Sequence, residues 1–218
     1  MTTARTLLAW GALAGPLYVL VGFGQAFTRQ GFDLRRHALN LLSNGDLGWI
    51  QIANFLVSGA LTIAVAIGIR QTLRGRPAGT WGPWLVGIYG ACLIAAGIFV
   101  ADPAFGFPPG TPDGPPTAWS WHSTLHFASA GVGFLALIAA CFVFVRAFAG
   151  RGERGWAAFS ALTGVAFLAA FAALASGGGN ESLSLAFAAA VVLVWAWITL
   201  LAFRLRASDV PLRQASSN

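Results

Sequence analysis

The chain has 218 residues, of which 57% are hydrophobic and only 9% are charged. Soluble proteins are typically about 45–50% apolar and about 25% charged, so this composition excludes an ordinary soluble protein and predicts an integral membrane protein. The net charge of +6 comes from 13 arginines against seven acidic residues, with no lysine. Most of these arginines flank apolar segments and form no basic stripe, which argues against a nucleic-acid partner.

Six hydrophobic segments follow one another along the chain, and each is close to the roughly 20 residues that a helix needs to cross a bilayer. Continuous apolar segments of this length satisfy their backbone hydrogen bonds in a membrane only as helices. The predicted fold class is therefore an all-α integral membrane protein, a bundle of six transmembrane helices. The predicted segments are Thr6–Phe27, Trp49–Ile69, Trp81–Ala101, His122–Val145, Trp156–Ser176 and Leu183–Phe203.

The six segments predict one domain, residues 1–207, followed by a short cytoplasmic tail, residues 208–218, which we expect to be disordered. The first segment is longer than the roughly 7–15 apolar residues of a signal peptide, so we expect it to be retained as a helix. Cys92 and Cys141 lie inside apolar segments and imply no disulfide framework.

Arginines accumulate on alternate connections between the segments. Cytoplasmic connections carry the excess of basic residues, so this pattern predicts that both termini are cytoplasmic. An arginine-rich and alanine-rich composition without lysine indicates a GC-rich bacterial genome, and the expected location is therefore the bacterial inner (cytoplasmic) membrane. The arginines on the predicted cytoplasmic side are Arg5, Arg70, Arg74, Arg76, Arg146, Arg151, Arg154, Arg204, Arg206 and Arg213.

Two connections on the predicted outer side are long and distinctive. The first, residues 31–45, has a helix-starting aspartate at Asp33 and an Asn44–Gly45 stop, which predicts a short extracytoplasmic helix on the membrane surface. The second, residues 102–116, holds six of the ten prolines. Because proline removes backbone donors and fixes φ, this composition predicts an irregular outer loop.

The chain has three histidines, and this topology brings all of them to the outer side. His122 and His126 are four residues apart at the start of the fourth segment, so a helix there stacks both imidazoles on one face. His37 lies on the predicted surface helix. Polar residues inside the segments also concentrate in their outer halves, which predicts an outward-facing cavity lined by histidine and aspartate.

Several short motifs resemble those of a known family. They are His37 followed by Ser43, Gly48–Trp49, Asn54–Phe55, Gly97–Ile98–Phe99 ending in Asp102–Pro103, and the pair His122 and His126. Over residues 27–146 this arrangement is similar to the domain of unknown function family numbered 998. The resemblance implies a bacterial or archaeal multi-pass membrane protein, and it implies no established activity.

Three histidines with nearby carboxylates are the donor set of a metal centre. A catalytic zinc takes three protein ligands and keeps one position for water, and His37, His122 and His126 supply three such ligands. Asp102 is the expected general base or hydrogen-bond partner of a ligand, and Ser43 or Ser123 is the expected hydrogen-bond donor. This arrangement predicts zinc-dependent hydrolysis of a membrane lipid or another membrane-soluble ester or amide.

A structural interpretation of the same residues stays open. His122 and His126 then cap the fourth helix and bond to Asp102 and the loop backbone, in a non-catalytic membrane component that binds a lipid or a partner protein. Haem is less favoured, because two histidines on one helical face cannot approach iron from opposite sides. Transport is less favoured because the inner halves of the segments lack a polar path. The sequence leaves the substrate and the oligomeric state open.

Overall fold

The computed structural model describes residues 3–76, 78–176 and 180–208. These residues form seven α-helices and one short 3-10 helix without a β-strand, apart from an isolated bridge between Ala104 and Phe107. In chain order the elements are α1 (Thr3–Gly11), α2 (Ala14–Thr28), the 3-10 helix (Leu39–Ser43), α3 (Gly48–Thr72), α4 (Ala78–Ile98), α5 (Trp121–Ala149), α6 (Arg154–Ala175) and α7 (Glu181–Ser208).

Six helical spans in the described residues are long and apolar enough to cross a membrane, and α1 and α2 together form the first, Thr3–Thr28. The predicted six-helix membrane bundle is therefore confirmed, and each predicted segment overlaps one of these spans. Of the predicted tail, residues 209–218 lie outside the described residues. The disorder expected there stays a prediction.

The first span is interrupted between α1 and α2 because Pro16 has no backbone N–H to donate to the carbonyl of Ala12. The hydroxyl of Thr199, in α7, donates a hydrogen bond of 3.2 Å to that carbonyl instead. Gly15 lies against the backbone of Trp195, also in α7, where a β-carbon would have no room. The interruption therefore lets α2 pack closely against α7.

Two glycines set the crossing of α3 and α4. A β-carbon on Gly59 would lie 2.7 Å from the carbonyl oxygen of Gly90, and one on Gly90 would lie 2.9 Å from the carbonyl oxygen of Gly59. Small residues at such a crossing let two membrane helices approach until their backbones touch. This packing fixes the start of α3 and the end of α4, the points from which two long loops leave the bundle.

The bundle has two different ends. We call the loop end the one that carries residues 29–47 and 99–120, and the arginine end the opposite one. The two loops contact each other: Arg36 pairs with Asp113 at 2.8 Å, and the side-chain amide of Asn44 donates to the carbonyl of Ala101 at 3.1 Å. The arginine end carries the exposed side chains Arg70, Arg74, Arg76, Arg146, Arg151 and Arg154.

The surface helix predicted from Asp33 to Asn44 is a turn followed by a shorter helix in the structure. Residues 34–36 form the turn, and only Leu39–Ser43 is helical. The backbone N–H of Asp33 donates to the ring of His37 and the carbonyl of Asp33 accepts from the backbone N–H of His37, each at 2.8 Å. These bonds close the turn, and the leucines that follow are buried against the bundle and do not lie on lipid.

Candidate functional site

A large cavity lies in the bundle near the loop end, with a volume of about 620 Å³. Three aromatic side chains form its floor. The ring of Tyr18 stacks on Trp195 with centroids 4.6 Å apart, and the ring of Tyr89 lies 5.7 Å from the same indole. These residues belong to α2, α7 and α4, so three spans meet beneath the cavity.

The walls of the cavity are apolar and its rim is polar. Phenylalanines from four helices supply much of the wall: Phe55, Phe134, Phe167, Phe171 and Phe187. The polar side chains of the rim belong mainly to the loops and to the first residue of α7: Arg35, Arg36, His37, Asn40, Asp102 and Glu181. An amphiphilic molecule fits such a gradient, with its apolar part against the aromatic walls and its polar group at the rim.

His126 is buried on the cavity wall, and protein groups bond to both of its ring nitrogens. Nδ1 lies 3.0 Å from the carbonyl oxygen of Ala96 and 2.8 Å from that of Phe99. Because carbonyls only accept, Nδ1 carries the proton, and Nε2 accepts a 3.1 Å hydrogen bond from the side-chain amide of Asn40. The last carbonyls of a helix lack helical partners, so His126 satisfies the end of α4.

His37 is also buried, and it joins the two loops. Its Nδ1 accepts a 2.8 Å hydrogen bond from the backbone N–H of Asp33, so the proton resides on Nε2. Nε2 donates to the carbonyl of Phe105 at 2.9 Å. The ring packs between Phe32 and Phe107, with centroid distances of 5.1 and 5.6 Å. The imidazole therefore holds residues 33–37 against the proline-rich loop.

His122 is exposed, unlike the other two histidines. Its ring lies 3.5 Å from the ring of Trp121 and 6.4 Å from that of Phe99, measured between centroids. One helical turn separates it from His126, as the spacing predicted, but the first turn of α5 stands at the loop end where side chains reach solvent. His122 therefore belongs to an exposed aromatic cluster, whereas His126 faces the cavity.

Asp102 holds Ser120, the residue that caps the start of α5. Its carboxylate accepts from the backbone N–H of Ser120 at 2.8 Å and from the Ser120 hydroxyl at 2.6 Å, and its own N–H donates to the hydroxyl of Ser123 at 3.2 Å. Partial burial raises the pKa of Asp102, but the hydrogen bonds from Ser120 and Ser123 and the nearby His122 outweigh it and lower that pKa below its ordinary value. The carboxylate is ionised at neutral pH and holds a helix start.

Ser43 lies away from the cavity, at the end of the 3-10 helix, where its backbone packs against Gly48 at the start of α3. Its hydroxyl is buried and has no hydrogen-bond partner among the described residues. The backbone of Ser43 is therefore part of the contact between the first loop and the start of α3.

Buried polar side chains also link α2 to α3 inside the membrane span. The side-chain amide of Gln25 donates to the side-chain oxygen of Gln51 at 3.0 Å, and that of Asn54 donates to the carbonyl of Tyr18 at 3.2 Å. The Ser58 hydroxyl continues this group by donating to the side-chain oxygen of Asn54 at 3.3 Å. Polar groups that cannot reach water bond to one another between helices, as these do.

The predicted zinc ligands do not share one centre in this arrangement. Among the described residues, no group of three or more histidine, cysteine or acidic side chains is placed to hold a metal ion. His37 and His126 already use both ring nitrogens within the protein, and His122 faces the aromatic cluster. Zinc binding by these histidines, and catalytic roles for Asp102 and Ser43, stay predictions.

Sequence reasoning missed the floor of the cavity. Tyr18 and Tyr89 are the only two tyrosines of the chain, and both are buried inside spans. Tyrosine in a membrane protein is enriched at the interface, so its position in the middle of two predicted segments was an available signal. Trp195 carries the same signal, because tryptophan too favours the interface and here is buried within α7.

The family model described as protein of unknown function (DUF998) matches residues 12–204 of the chain. The match continues through α6 and into α7, beyond the residues 27–146 over which motifs indicated the resemblance. No curated protein and no solved structure matches the chain. The chain therefore belongs to the DUF998 family of multi-pass membrane proteins of unknown function.

Proposed function

We propose that the protein binds a lipid-like, membrane-soluble molecule in the cavity without changing it chemically. The observation that carries this proposal is the cavity of about 620 Å³, with aromatic walls and a polar rim. Ligand sites in proteins are typically about 300–1,000 Å³ and mostly apolar, with a few polar groups that fix orientation. Aromatic walls inside a membrane bundle favour an acyl or prenyl chain over a water-soluble ligand.

The hydrogen bonds of the rim support binding over catalysis. His37 and His126 each use both ring nitrogens, so neither offers a base or a ligand without losing a bond that holds the loops or the end of α4. The carboxylate of Asp102 is likewise occupied by Ser120. Groups bonded in this way hold a preformed site rigid, which reduces the cost of ordering it around a ligand.

A cavity-filling substitution tests the proposal. Gly131 lines the cavity, and a β-carbon there would meet nothing within 4 Å. Gly131→Trp should therefore fill the cavity without disturbing helix packing. We expect a lipid with a photoreactive diazirine in its acyl chain to crosslink to residues of the cavity wall in the parent protein, and to lose most of that crosslinking in the variant.

Gly24→Trp is the matched control. Gly24 is exposed on α2, away from the cavity, and a β-carbon there also meets nothing within 4 Å. This variant should crosslink like the parent. The proposal fails if crosslinks map only to the outer surface of the bundle, or if both tryptophan variants reduce crosslinking equally.

Zinc-dependent hydrolysis has a separate test. If His37, His122 and His126 bind zinc, the protein purified without chelator contains stoichiometric zinc, and His126→Gln loses it because glutamine is a weak ligand. Under the binding proposal neither protein contains stoichiometric metal. Zinc in the parent that disappears in His126→Gln would replace the binding proposal with the catalytic one.

A further inference from the structure

Arg35 stands at the rim of the cavity with an exposed side chain. Among the described residues its guanidinium has neither a hydrogen-bond acceptor nor an ion-pair partner. The backbone N–H of Arg35 donates a 2.9 Å hydrogen bond to the carboxylate of Asp33. The same turn is held by His37, which accepts from Asp33 and donates to Phe105. The loop therefore fixes the backbone of Arg35 beside the cavity while leaving its charge available.

The neighbouring Arg36 forms an ion pair. Its guanidinium donates to the carboxylate of Asp113 at 2.8 Å, an ion pair whose side chains are 51% and 82% exposed. Two adjacent arginines at one rim thus differ: the guanidinium of Arg36 forms an ion pair, and that of Arg35 forms none with the described residues, although the carboxylate of Asp33 binds the backbone of Arg35.

The rim also carries two carboxylates, Asp102 and Glu181. Both oxygens of Asp102 accept from Ser120, so that charge is directed at the start of α5. Glu181 opens α7, where a carboxylate interacts favourably with the positive end of the helix dipole. Neither forms an ion pair with Arg35 among the described residues.

We infer that the ligand of the cavity is a phospholipid and that Arg35 binds its phosphate while an acyl chain lies against the aromatic walls. This inference rests on the proposed lipid binding and adds the chemistry of the headgroup. Guanidinium binds phosphate through paired, charge-assisted hydrogen bonds, which are stronger than those between neutral groups. An exposed surface carboxylate or a free anion would satisfy Arg35 as well, but neither would fill the apolar cavity beneath it.

Competition between lipids tests the headgroup. A diazirine-acyl phosphatidylglycerol serves as the probe, with the full chain in an uncharged maltoside detergent. Unlabelled phosphatidylglycerol and phosphatidylethanolamine share the phosphate and should compete about tenfold more strongly than diacylglycerol, which lacks it, since one charge-assisted contact contributes about that much. In Arg35→Gln this advantage of the phospholipids should disappear, while competition by diacylglycerol stays as in the parent.

Arg74→Gln is the control, because it removes the same charge from an exposed side chain at the arginine end, away from the cavity, and leaves the ion pair between Arg36 and Asp113 intact. It should keep the preference for phospholipids within about twofold. Equal competition by diacylglycerol in the parent, or equal loss in both arginine variants, would overturn the role of Arg35 while leaving lipid binding intact. Absence of any crosslink in the cavity of the parent would instead overturn the proposed function.

Discussion

The two ends of the bundle use their charged side chains differently. At the arginine end, two ion pairs share one carboxylate: Glu153 pairs with Arg151, two residues away, at 3.0 Å, and with Arg204, in α7, at 2.8 Å. At the loop end, the guanidinium of Arg29 donates to the carbonyls of Leu42 and Asn44 at 2.6 and 2.7 Å and so closes the first loop onto the end of α2. The arginines of these ion pairs at one end bind a carboxylate, whereas Arg29 at the other end binds backbone carbonyls and so shapes a loop.

The loop end is also distinguished by buried hydrogen bonds between segments that are distant in sequence. His37 bonds to Phe105 across 68 residues, and Asn40 bonds to His126 across 86 residues. Buried bonds between distant segments fix a tertiary arrangement, whereas exposed local pairs contribute little to stability. The comparison teaches that the candidate site belongs to the end where buried hydrogen bonds join two loops to each other and to α5 beside the cavity.

The largest expected effect is the presence or absence of labelling at introduced cysteines, which tests which end of the bundle faces outward. Thr117, at the loop end, and Arg74, at the arginine end, are both exposed. In a background with Cys92 and Cys141 replaced by alanine, a membrane-impermeant maleimide should label Thr117→Cys on intact cells and should not label Arg74→Cys. The reason is that arginine-rich connections are retained in the cytoplasm.

Permeabilised cells provide the control for that experiment, since Arg74→Cys must react once the reagent enters. Labelling of Arg74→Cys on intact cells would show that the predicted orientation of the bundle is wrong. The loop end with its cavity rim would then face the cytoplasm, and the arginine end would face outward. The structural difference between the two ends would be unchanged.

The next effect concerns the bonds of His126. His126→Ala leaves the amide of Asn40 and the carbonyls of Ala96 and Phe99 without their partner, in a place where His126 itself is only 2% exposed. Each unsatisfied buried group costs about 1–3 kcal/mol, so we expect a loss of at least about 2 kcal/mol in the free energy of unfolding. Reversible unfolding in detergent, followed by tryptophan fluorescence, measures it.

His122→Ala is the comparison for His126→Ala. Its ring is exposed and contacts Trp121 and Phe99 only through the ring faces and edges. An exposed substitution usually changes stability by no more than about 0.5 kcal/mol. Equal destabilisation by the two variants would mean that the hydrogen bonds of His126 contribute nothing beyond helix packing.

The fold was predictable because its signals are local and redundant. Each span carries enough apolar residues to be recognised alone, and Pro16 and the glycine pair Gly59 and Gly90 only adjust how the spans meet. A bilayer leaves helices as the simplest structure for such segments. The prediction of a surface helix starting at Asp33 was less accurate, because the side chain of His37 competes with the helical hydrogen bonds of this segment.

The site was less predictable because its hydrogen-bond partners are distant in sequence. The positions of His37 and His126 at the loop end followed from topology. Their bonds to Phe105 and Asn40 depend on how two irregular loops fold over the bundle, which periodicity does not encode. The same holds for Arg35, whose availability depends on Asp113 pairing with Arg36.

The smallest expected effect is the pH dependence of the stability that Asp102 contributes by binding Ser120, the cap of α5. Its pKa is lowered in the folded protein, mainly because the hydrogen bonds from Ser120 and Ser123 outweigh the effect of partial burial. A lowered folded-state pKa means that the carboxylate stabilises the fold fully above its ordinary pKa of 3.8 and loses this effect as the pH falls through the folded-state value. Asp102→Asn should therefore be less stable than the parent by about 1 kcal/mol at neutral pH, because charge-assisted hydrogen bonds are stronger than those of a neutral amide.

This difference should shrink as the pH is lowered below 3.8, because the unfolded chain then takes up a proton, and the contribution of the ionised carboxylate falls as the pH approaches the lowered folded-state pKa. Asp113→Asn is the control at the same end, since its carboxylate is 82% exposed and holds no helix start. A difference between parent and Asp102→Asn that is independent of pH would show that shape alone, and not the charge of Asp102, stabilises the start of α5. The start of α5 would then depend on neutral hydrogen bonds, whereas the arginine end has the ion pairs of Glu153.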